Sequence, residues 1–205
     1  MAAKNTKGIK INDNFKIKDC QACQEANSKR IISRVTSPRS KEPLTHWNID
    51  VVTITPESIG RAKYFTLMTD AATLYHRVGF HSNKNGAYVH VQKLIDYVKT
   101  NTTTAVKVLH IDGGREYGGI KLTELCDKYG IDLRVTTPHN SEQNGRAEVS
   151  NHYICSVTRK LMIHGKVPKG LWTEAVDASV YIINLTPSIN LGNILPYQAI
   201  AKYFN

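Results

Sequence analysis

Three segments in the first half of the chain alternate apolar and polar positions with the period of a β-strand. The predicted strands cover residues 46–54, 64–69 and 74–81. In the first of them, Ile49 and Val51 fall on one face, and Asp50 and Val52 fall on the other. Because short polar connections join the three segments, we expect them to form an antiparallel meander.

Helical and strand periods alternate in the rest of the chain. The predicted helices cover 86–99, 120–129, a segment that starts near residue 146, and 171–185, and the predicted strands cover 106–112 and 131–137. In the first helix, Val89, Leu94, Ile95 and Val98 lie at helical spacing, and Gly130 is placed to end the second helix as its C-cap. This order of elements predicts an α/β fold.

The helix predicted over 171–185 carries one apolar face. That face consists of Trp172, Ala175, Val176, Ser179, Ile182 and Ile183. Such a face can pack on the core of its own domain or form a dimer, and the sequence favours core packing.

The helix that starts near residue 146 shows two faces. Its apolar side consists of Ala147, Ile154, Val157 and Leu161. A second side consists of Glu148, His152, Cys155 and Arg159. We expect the second side to look toward the edge of the sheet at which the acidic residues of the strands emerge.

Charge points to a polyanionic partner. The chain has 27 Lys and Arg against 17 Asp and Glu, which gives a net charge of +10. Nucleic acid is the commonest partner of such a protein, although a basic surface also serves solubility alone. The basic residues are densest before residue 42, so part of the excess belongs to an N-terminal arm.

Membrane insertion and secretion are not expected. The sequence has no apolar run near the length of a membrane-spanning helix, and its N-terminal residues lack the apolar segment of a signal peptide. Four Cys without a dense framework fit a reducing compartment inside the cell.

Three carboxylates are candidates for a common site. Asp50 and Asp112 each lie in an apolar strand, and Glu148 follows Asp112 after 35 intervening residues, near the start of a helix. Carboxylates in one pocket repel one another unless divalent cations lie among them, so the set is a candidate two-metal site for phosphodiester chemistry. Alternatively, Glu148 is an ordinary first-turn residue stabilised by the helix dipole. Asp70 is interpreted as a turn residue.

The motifs around these residues carry a family resemblance. IDGGREY surrounds Asp112, and TPHNSEQNGRAE leads into Glu148 at the Asp-35-Glu spacing. Together they resemble the retroviral integrase superfamily, and more closely the integrase of copia-type LTR retrotransposons. The resemblance implies a ribonuclease H-like fold, with a mixed five-stranded sheet flanked by helices. It also implies that Asp50, Asp112 and Glu148 are catalytic and hold Mg²⁺ or Mn²⁺, with Glu116 supporting these ligands.

The resemblance further implies the partner and the location of the protein. It predicts binding to retrotransposon ends and target DNA, 3′-end processing and strand transfer, a homo-oligomer, and action in the nucleus after a cytoplasmic particle stage. The expected nucleic-acid contacts are Asn140, Gln143, Asn144, His152, Arg159 and Lys160.

Two departures from the family pattern keep other functions open. Copia-type integrases usually have Arg directly after the catalytic Glu and again four residues after it, whereas this chain has Val149 and His152 there. Each change removes a cation near DNA and weakens phosphate binding. The alternatives are therefore a catalytically impaired DNA-binding remnant, or a ribonuclease H-like nuclease that cuts without joining.

The N-terminal segment carries half of a zinc site. Cys20 and Cys23 have the spacing of two tetrahedral zinc ligands, but no His or other Cys precedes them. In copia-type integrases an upstream His pair completes the site. We therefore expect idle thiols, unless His46 or a partner chain supplies the missing ligands. Residues 1–43 are interpreted as a basic arm with this remnant, and 44–205 as the catalytic core, in a fragment or a decayed copy.

Overall fold

A mixed five-stranded sheet with the order β3-β2-β1-β4-β5 forms the centre of the fold. The computed structural model describes residues 40–112, 119–136 and 145–204, without the side chains of Asp112, Thr136 and residues 145–148. The strands are β1 (His46–Thr53), β2 (Tyr64–Asp70), β3 (His76–His81), β4 (Val108–Asp112) and β5 (Asp132–Thr136). β1 to β3 form the predicted antiparallel meander, and β4 pairs in parallel with both β1 and β5.

Helices cover both faces of this sheet. They are α1 (Ala87–Asn101), α2 (Gly119–Tyr129), α3 (Gly145–His164), α4 (Trp172–Asn184) and α5 (Pro196–Ala201). Gly130 ends α2 in the left-handed conformation, with φ of 64°, as expected for a C-cap glycine. None of the helices in the described ranges has the length and apolarity needed to cross a bilayer.

Two hydrophobic clusters divide the core between the faces of the sheet. Trp47 and Ile49 of β1 belong to the cluster beneath α1, α2 and α5. Val52 packs on the other cluster, in which Phe65 of β2 meets α3 and α4. Since side chains alternate along a strand, the position of Asp50 belongs to the face covered by α3 and α4. The predicted division of β1 into two faces is confirmed.

The sequence misplaced single positions on the helices. Val89 of α1 is 46 % exposed, and Val91 takes its place in the core. On α4, Ile182 is 44 % exposed, whereas Val180 is buried together with the rest of the predicted face. The preference for core packing over a free dimer face is confirmed for most of α4, because Trp172 and Val176 lie in the second cluster.

α3 buries a polar residue where the pattern predicted Leu161. Ile154 is fully buried as expected, but Thr158 is buried too, and Leu161 is partly exposed. The hydroxyl of Thr158 is hydrogen-bonded to the carbonyl of Ile154 and to Ser179 of α4, at 2.9 and 3.0 Å. A hydroxyl with such partners is buried at little cost, and a hydrophobic pattern cannot reveal them.

Asp70 ends β2 in a buried corner. Its carboxylate accepts hydrogen bonds from the backbone N–H of Leu44 and from the N–H and hydroxyl of Thr73, at 2.8, 2.8 and 2.6 Å. The interpretation of Asp70 as a turn residue is confirmed. Burial raises the pKa of this carboxyl to about 6, against the lowering effect of its hydrogen bonds.

Candidate active site

The carboxylate of Asp50 meets α3 near the end of β1. The side-chain amide of Asn151 donates a hydrogen bond to Asp50 Oδ2 in a partly buried contact. Asn151 lies 101 residues from Asp50 in the sequence, so the contact depends entirely on the packing of α3 against the sheet. The start of α3 is therefore held beside the carboxyl-terminal half of β1.

The backbone brings position 112 next to Asp50. β1 and β4 run in parallel with Ile49 opposite Ile111, so the following residues of the two strands are also neighbours. Asp112 is the last residue of β4, where it pairs with Thr136 of β5. In sheets with parallel strands, binding sites form at the carboxyl ends of the strands.

The backbone also brings position 148 toward the same region. Glu148 lies in α3 three residues before Asn151, which is about one helical turn. Because Asn151 contacts Asp50, the first turns of α3 run past the end of β1. All three predicted metal ligands thus belong to segments that meet near the carboxyl ends of β1 and β4.

Whether the three carboxylates share cations stays a prediction. The side chains of Asp112 and Glu148 are outside the described residues. Among the side chains that are described, no group of three His, Cys, Asp or Glu is arranged to hold a metal ion.

A groove of about 650 Å³ lies between the end of β1 and helices α3 and α4, and we call it the β1–α3 groove. Its lining includes Val52, Pro56, Asn151, His152, Cys155, Arg159, Met162, Lys169 and Trp172. The indole N–H of Trp172 donates to the carbonyl of Pro56 at 3.0 Å, so two lining residues of the groove are joined. His152, Cys155 and Arg159 therefore do face the strand end, as their shared helix face predicted.

The chemistry of Cys155 argues against a thiol nucleophile in the groove. Burial is the main cause that raises the pKa of this thiol, and the charge of Asp50 raises it further, while Arg159 lowers it. A thiol with a raised pKa has little thiolate at neutral pH and reacts slowly.

The predicted nucleic-acid contacts divide into two groups. His152, Arg159 and Lys160 are exposed on α3, with the first two along the groove. Asn140, Gln143 and Asn144 lie outside the described residues, and so does Glu116. These assignments stay predictions.

The partial zinc site is also outside the described residues, because Cys20 and Cys23 precede residue 40. His46, the alternative zinc partner, lies at the start of β1. Its Nδ1 atom is 3.0 Å from the hydroxyl of Ser40 and 2.8 Å from that of Thr45. Burial lowers the pKa of His46, which keeps the imidazole neutral over a wider pH range.

Asn151 is the site residue that sequence reasoning missed. An Asn within a helix is usually a solvated residue, and nothing in the hydrophobic pattern distinguishes it. The available signal was its position one turn after Glu148, since residues three apart on a helix are neighbours.

The chain is similar to several known proteins. Residues 40–141 match the family model described as Integrase core domain. The chain is 31% identical, over 88% of its length, to a retrovirus-related Pol polyprotein from transposon TNT 1-94 of Nicotiana tabacum. It is 25% identical, over 92% of its length, to the corresponding polyprotein from transposon RE2 of Arabidopsis thaliana. The chain spans only 14% and 13% of the lengths of these two relatives.

Among solved structures, the fold is similar to that of one chain in a cryo-EM structure of the simian T-cell lymphotropic virus intasome in complex with PP2A regulatory subunit B56 gamma. The TM-score is 0.66 at 15% sequence identity, over 87% of this chain and 62% of that one. At that identity the likeness concerns the fold, and it agrees with the expected ribonuclease H-like architecture. Residues 40–141 thus resemble an integrase core domain, and the chain resembles plant retrotransposon polyproteins over most of its own length.

Proposed function

We propose that this chain is the catalytic core of a retrotransposon integrase of the copia type, which trims DNA ends and joins them to target DNA by two-metal polynucleotidyl transfer. The observation that carries the proposal is the meeting of three segments at one sheet edge. Asp50 on β1 contacts Asn151 on α3, and the strand register puts position 112 beside Asp50. Glu148 precedes Asn151 by one helical turn.

The donor set fits Mg²⁺ or Mn²⁺. Asp50, Asp112 and Glu148 would hold the ions, because hard divalent cations prefer carboxylate oxygens. Asn151 Oδ1, a buried acceptor without a hydrogen-bond partner among the described residues, fits a site that receives further polar groups. When bound, two such cations activate a water or a DNA 3′-hydroxyl and stabilise the leaving oxygen of an in-line displacement.

The residues of the chain itself orient the substrate. Arg159 and Lys169 border the β1–α3 groove and are suited to bind phosphates of a DNA end. Val52 and Trp172 contribute apolar surface to the same groove. Asn151 holds Asp50 in a fixed orientation by its hydrogen bond.

The proposal extends to assembly and location. Tyr181 and Ile182 of α4 are 68 % and 44 % exposed, which supports a homo-oligomer that covers them. We propose action on nuclear DNA after a cytoplasmic particle stage.

A DNA-binding remnant is the second candidate. Val149 is 69 % exposed at the start of α3, and the neighbouring exposed residue His152 is also not an Arg. An exposed apolar residue at this place supplies no phosphate contact, so it favours weaker engagement of DNA.

One assay separates the candidates. The protein is incubated with donor-end oligonucleotides, target DNA and Mn²⁺, with the Asp112→Asn variant as the matched control. We expect joined strands from the wild type and none from the variant. Shortened strands alone would indicate a nuclease, and a gel shift without any chemistry would indicate a DNA-binding remnant. Equal joining by the variant would contradict the assignment of Asp112.

A further inference from the structure

Another cavity, of about 470 Å³, lies against a different side of α3 from the β1–α3 groove. We call it the His76 pocket, and its lining includes Leu74, His76, Val149, Tyr153, Ile183 and Ile189. These residues belong to the β2–β3 turn, β3, α3, α4 and the segment after α4. None of the described lining residues is Lys, Arg, Asp or Glu. A cavity of this size and character suits a small organic molecule.

Two neighbouring elements hold His76 in place at this pocket. Its backbone N–H donates to Asn184 Oδ1 at 2.9 Å, and its carbonyl accepts from Asn184 Nδ2 at 2.8 Å, so the end of α4 is joined to the start of β3. The Nδ1 atom of its ring lies 2.9 Å from the hydroxyl of Thr69 on β2. These contacts fix the orientation of the ring before any ligand arrives.

The second ring nitrogen of His76, Nε2, is available to a ligand. The hydrogen bonds among the described residues engage Nδ1 and the backbone of His76, but not Nε2. The residue is only 5 % exposed, yet Nε2 is not among the described atoms that are both fully enclosed and unpaired. Nε2 therefore reaches accessible surface, and His76 lines the pocket. A buried polar group of this kind gives an apolar pocket its specificity.

The imidazole of His76 is neutral at pH 7, because burial lowers its pKa to about 4. A neutral imidazole has one nitrogen that donates and one that accepts. If the hydroxyl of Thr69 donates to Nδ1, then Nε2–H donates to the ligand. If that hydroxyl accepts from Nδ1–H, then Nε2 accepts from the ligand. A hydroxyl group on the ligand fits both states, since it can donate and accept.

We propose that the His76 pocket binds a small uncharged molecule with an apolar body and one hydroxyl group, an alcohol or a phenol. Its apolar body packs on Leu74, Tyr153 and Ile183, and its hydroxyl is hydrogen-bonded to His76 Nε2. An ionised molecule would lose hydration without gaining a counter-charge from the lining, so it is excluded. The inference does not rest on the proposed function, because binding here needs neither metal nor DNA.

The test measures binding of 2-naphthol to the ¹⁵N-labelled full chain by NMR, with naphthalene as the matched probe that lacks only the hydroxyl. We expect both probes to shift the amide signals of Tyr153, Ile183 and Ile189. The ratio of the two dissociation constants measures the preference for the hydroxyl. Changes in this ratio between variants report the hydrogen bond, because the transfer of each probe from water is the same for every variant.

Two substitutions of His76 separate its ring nitrogens. His76→Asn keeps a polar atom near the position of Nδ1 and removes Nε2, whereas His76→Gln places a polar atom near the position of Nε2. We expect the preference for 2-naphthol over naphthalene to fall about two- to tenfold in His76→Asn, as for the loss of one hydrogen bond. His76→Gln should stay closer to the wild type. An unchanged preference in His76→Asn would overturn the proposal.

A second pair of variants tests the pocket without disturbing the core. Ile189→Ala shortens a lining residue that is 88 % exposed, so the fold is not at risk. We expect its affinity for both probes to fall about two- to fivefold, because apolar contact is lost. Ile163→Ala, at a 77 % exposed position of α3 outside the lining, is the control and should bind like the wild type.

Two further results would overturn the proposal. One is a set of shifted amide signals that excludes the lining residues, or no shift at the solubility limit of the probes. The other is equal affinity of Ile189→Ala and Ile163→Ala, which decides the question if His76→Asn does not fold. Neither readout depends on strand joining, so failure of the proposed function would leave this inference intact.

Discussion

Asp50 and Asp70 lie on neighbouring antiparallel strands, yet their surroundings differ in kind. Asp70 is fully buried and receives three hydrogen bonds from Leu44 and Thr73. Asp50 is only partly buried, at a point where the amide of Asn151 reaches it from α3. Asp70 stabilises a turn of the chain, whereas Asp50 lies where α3 meets the parallel strands β1 and β4.

The difference shows how a structural carboxylate can be told from a candidate ligand. The donors to Asp70 come from its own turn and from the chain entering β1, and they enclose both oxygens. Such a group has no room for a cation. A ligand must instead keep part of its surface accessible, and Asp50 is only partly buried.

The largest expected effect is on the rate of strand joining when Asp50 is replaced. Asp50→Asn keeps an oxygen that can accept from Asn151 but loses the charge that attracts a cation. We expect strand joining to fall by at least about a hundredfold, equivalent to about 2.7 kcal/mol of transition-state stabilisation. Urea denaturation should show nearly wild-type stability. Joining at the wild-type rate would remove Asp50 from the catalytic set.

The reverse behaviour is expected at Asp70. Asp70→Ala leaves the N–H groups of Leu44 and Thr73 without their acceptor in a buried corner. The free energy of unfolding, measured in urea, should fall by about 2–4 kcal/mol. Asp177→Ala, at an exposed position of α4, is the control and should change little. A joining rate per folded molecule close to that of the wild type would sharpen the distinction from Asp50, and a large loss would contradict it.

The smallest expected effect is on the pH dependence of stability. Two buried groups, Asp70 and His76, have pKa values shifted in opposite directions, so their contributions to stability change with pH in opposite directions. The pKa of Asp70 is raised by burial from 3.8 to about 6, so the folded state binds more protons than the unfolded state in that range. This contribution lowers stability as pH rises from about 4 to about 6. Burial lowers the pKa of His76 from 6.5 to about 4, so the unfolded state binds more protons there. That contribution raises stability as pH rises through the same range.

Single variants should uncover each slope. Asp70→Asn leaves the His76 contribution, so its unfolding free energy should rise with pH between 4 and 6.5, by at most about 1.4 kcal/mol per pH unit. Other histidines with lowered pKa values contribute to all the profiles, so the comparison is with the wild type. The slope of His76→Gln should lie below that of the wild type up to about pH 6, and the slope of Asp70→Asn above it, with exposed His164→Gln as the control. Unfolding free energies are measured by urea titration at several pH values. If they change with pH in parallel for all four proteins, the opposite contributions of Asp70 and His76 are refuted.

Local periodicity was sufficient for much of the fold. The alternation in β1 separates Ile49 from Asp50, and the two clusters lie on opposite faces as that alternation requires. Gly130 ends α2 because a left-handed residue there is cheapest as glycine. Asp70 followed by small residues predicts a turn for the same local reason, since its oxygens reach N–H groups only a few residues away.

Only the tertiary structure decided which polar residues are partners. The Asp50–Asn151 contact spans 101 residues, and the hydrogen bond that the backbone N–H of His76 donates to Asn184 Oδ1 spans 108. Such pairs depend on how α3 and α4 pack against the sheet. The sequence around each residue of a pair does not indicate its partner. For the same reason Thr158 is buried and Leu161 is not, because a matching hydroxyl on Ser179 happens to face Thr158. Sequence period specifies which face of an element is apolar, whereas long-range packing determines what each polar group on that element meets.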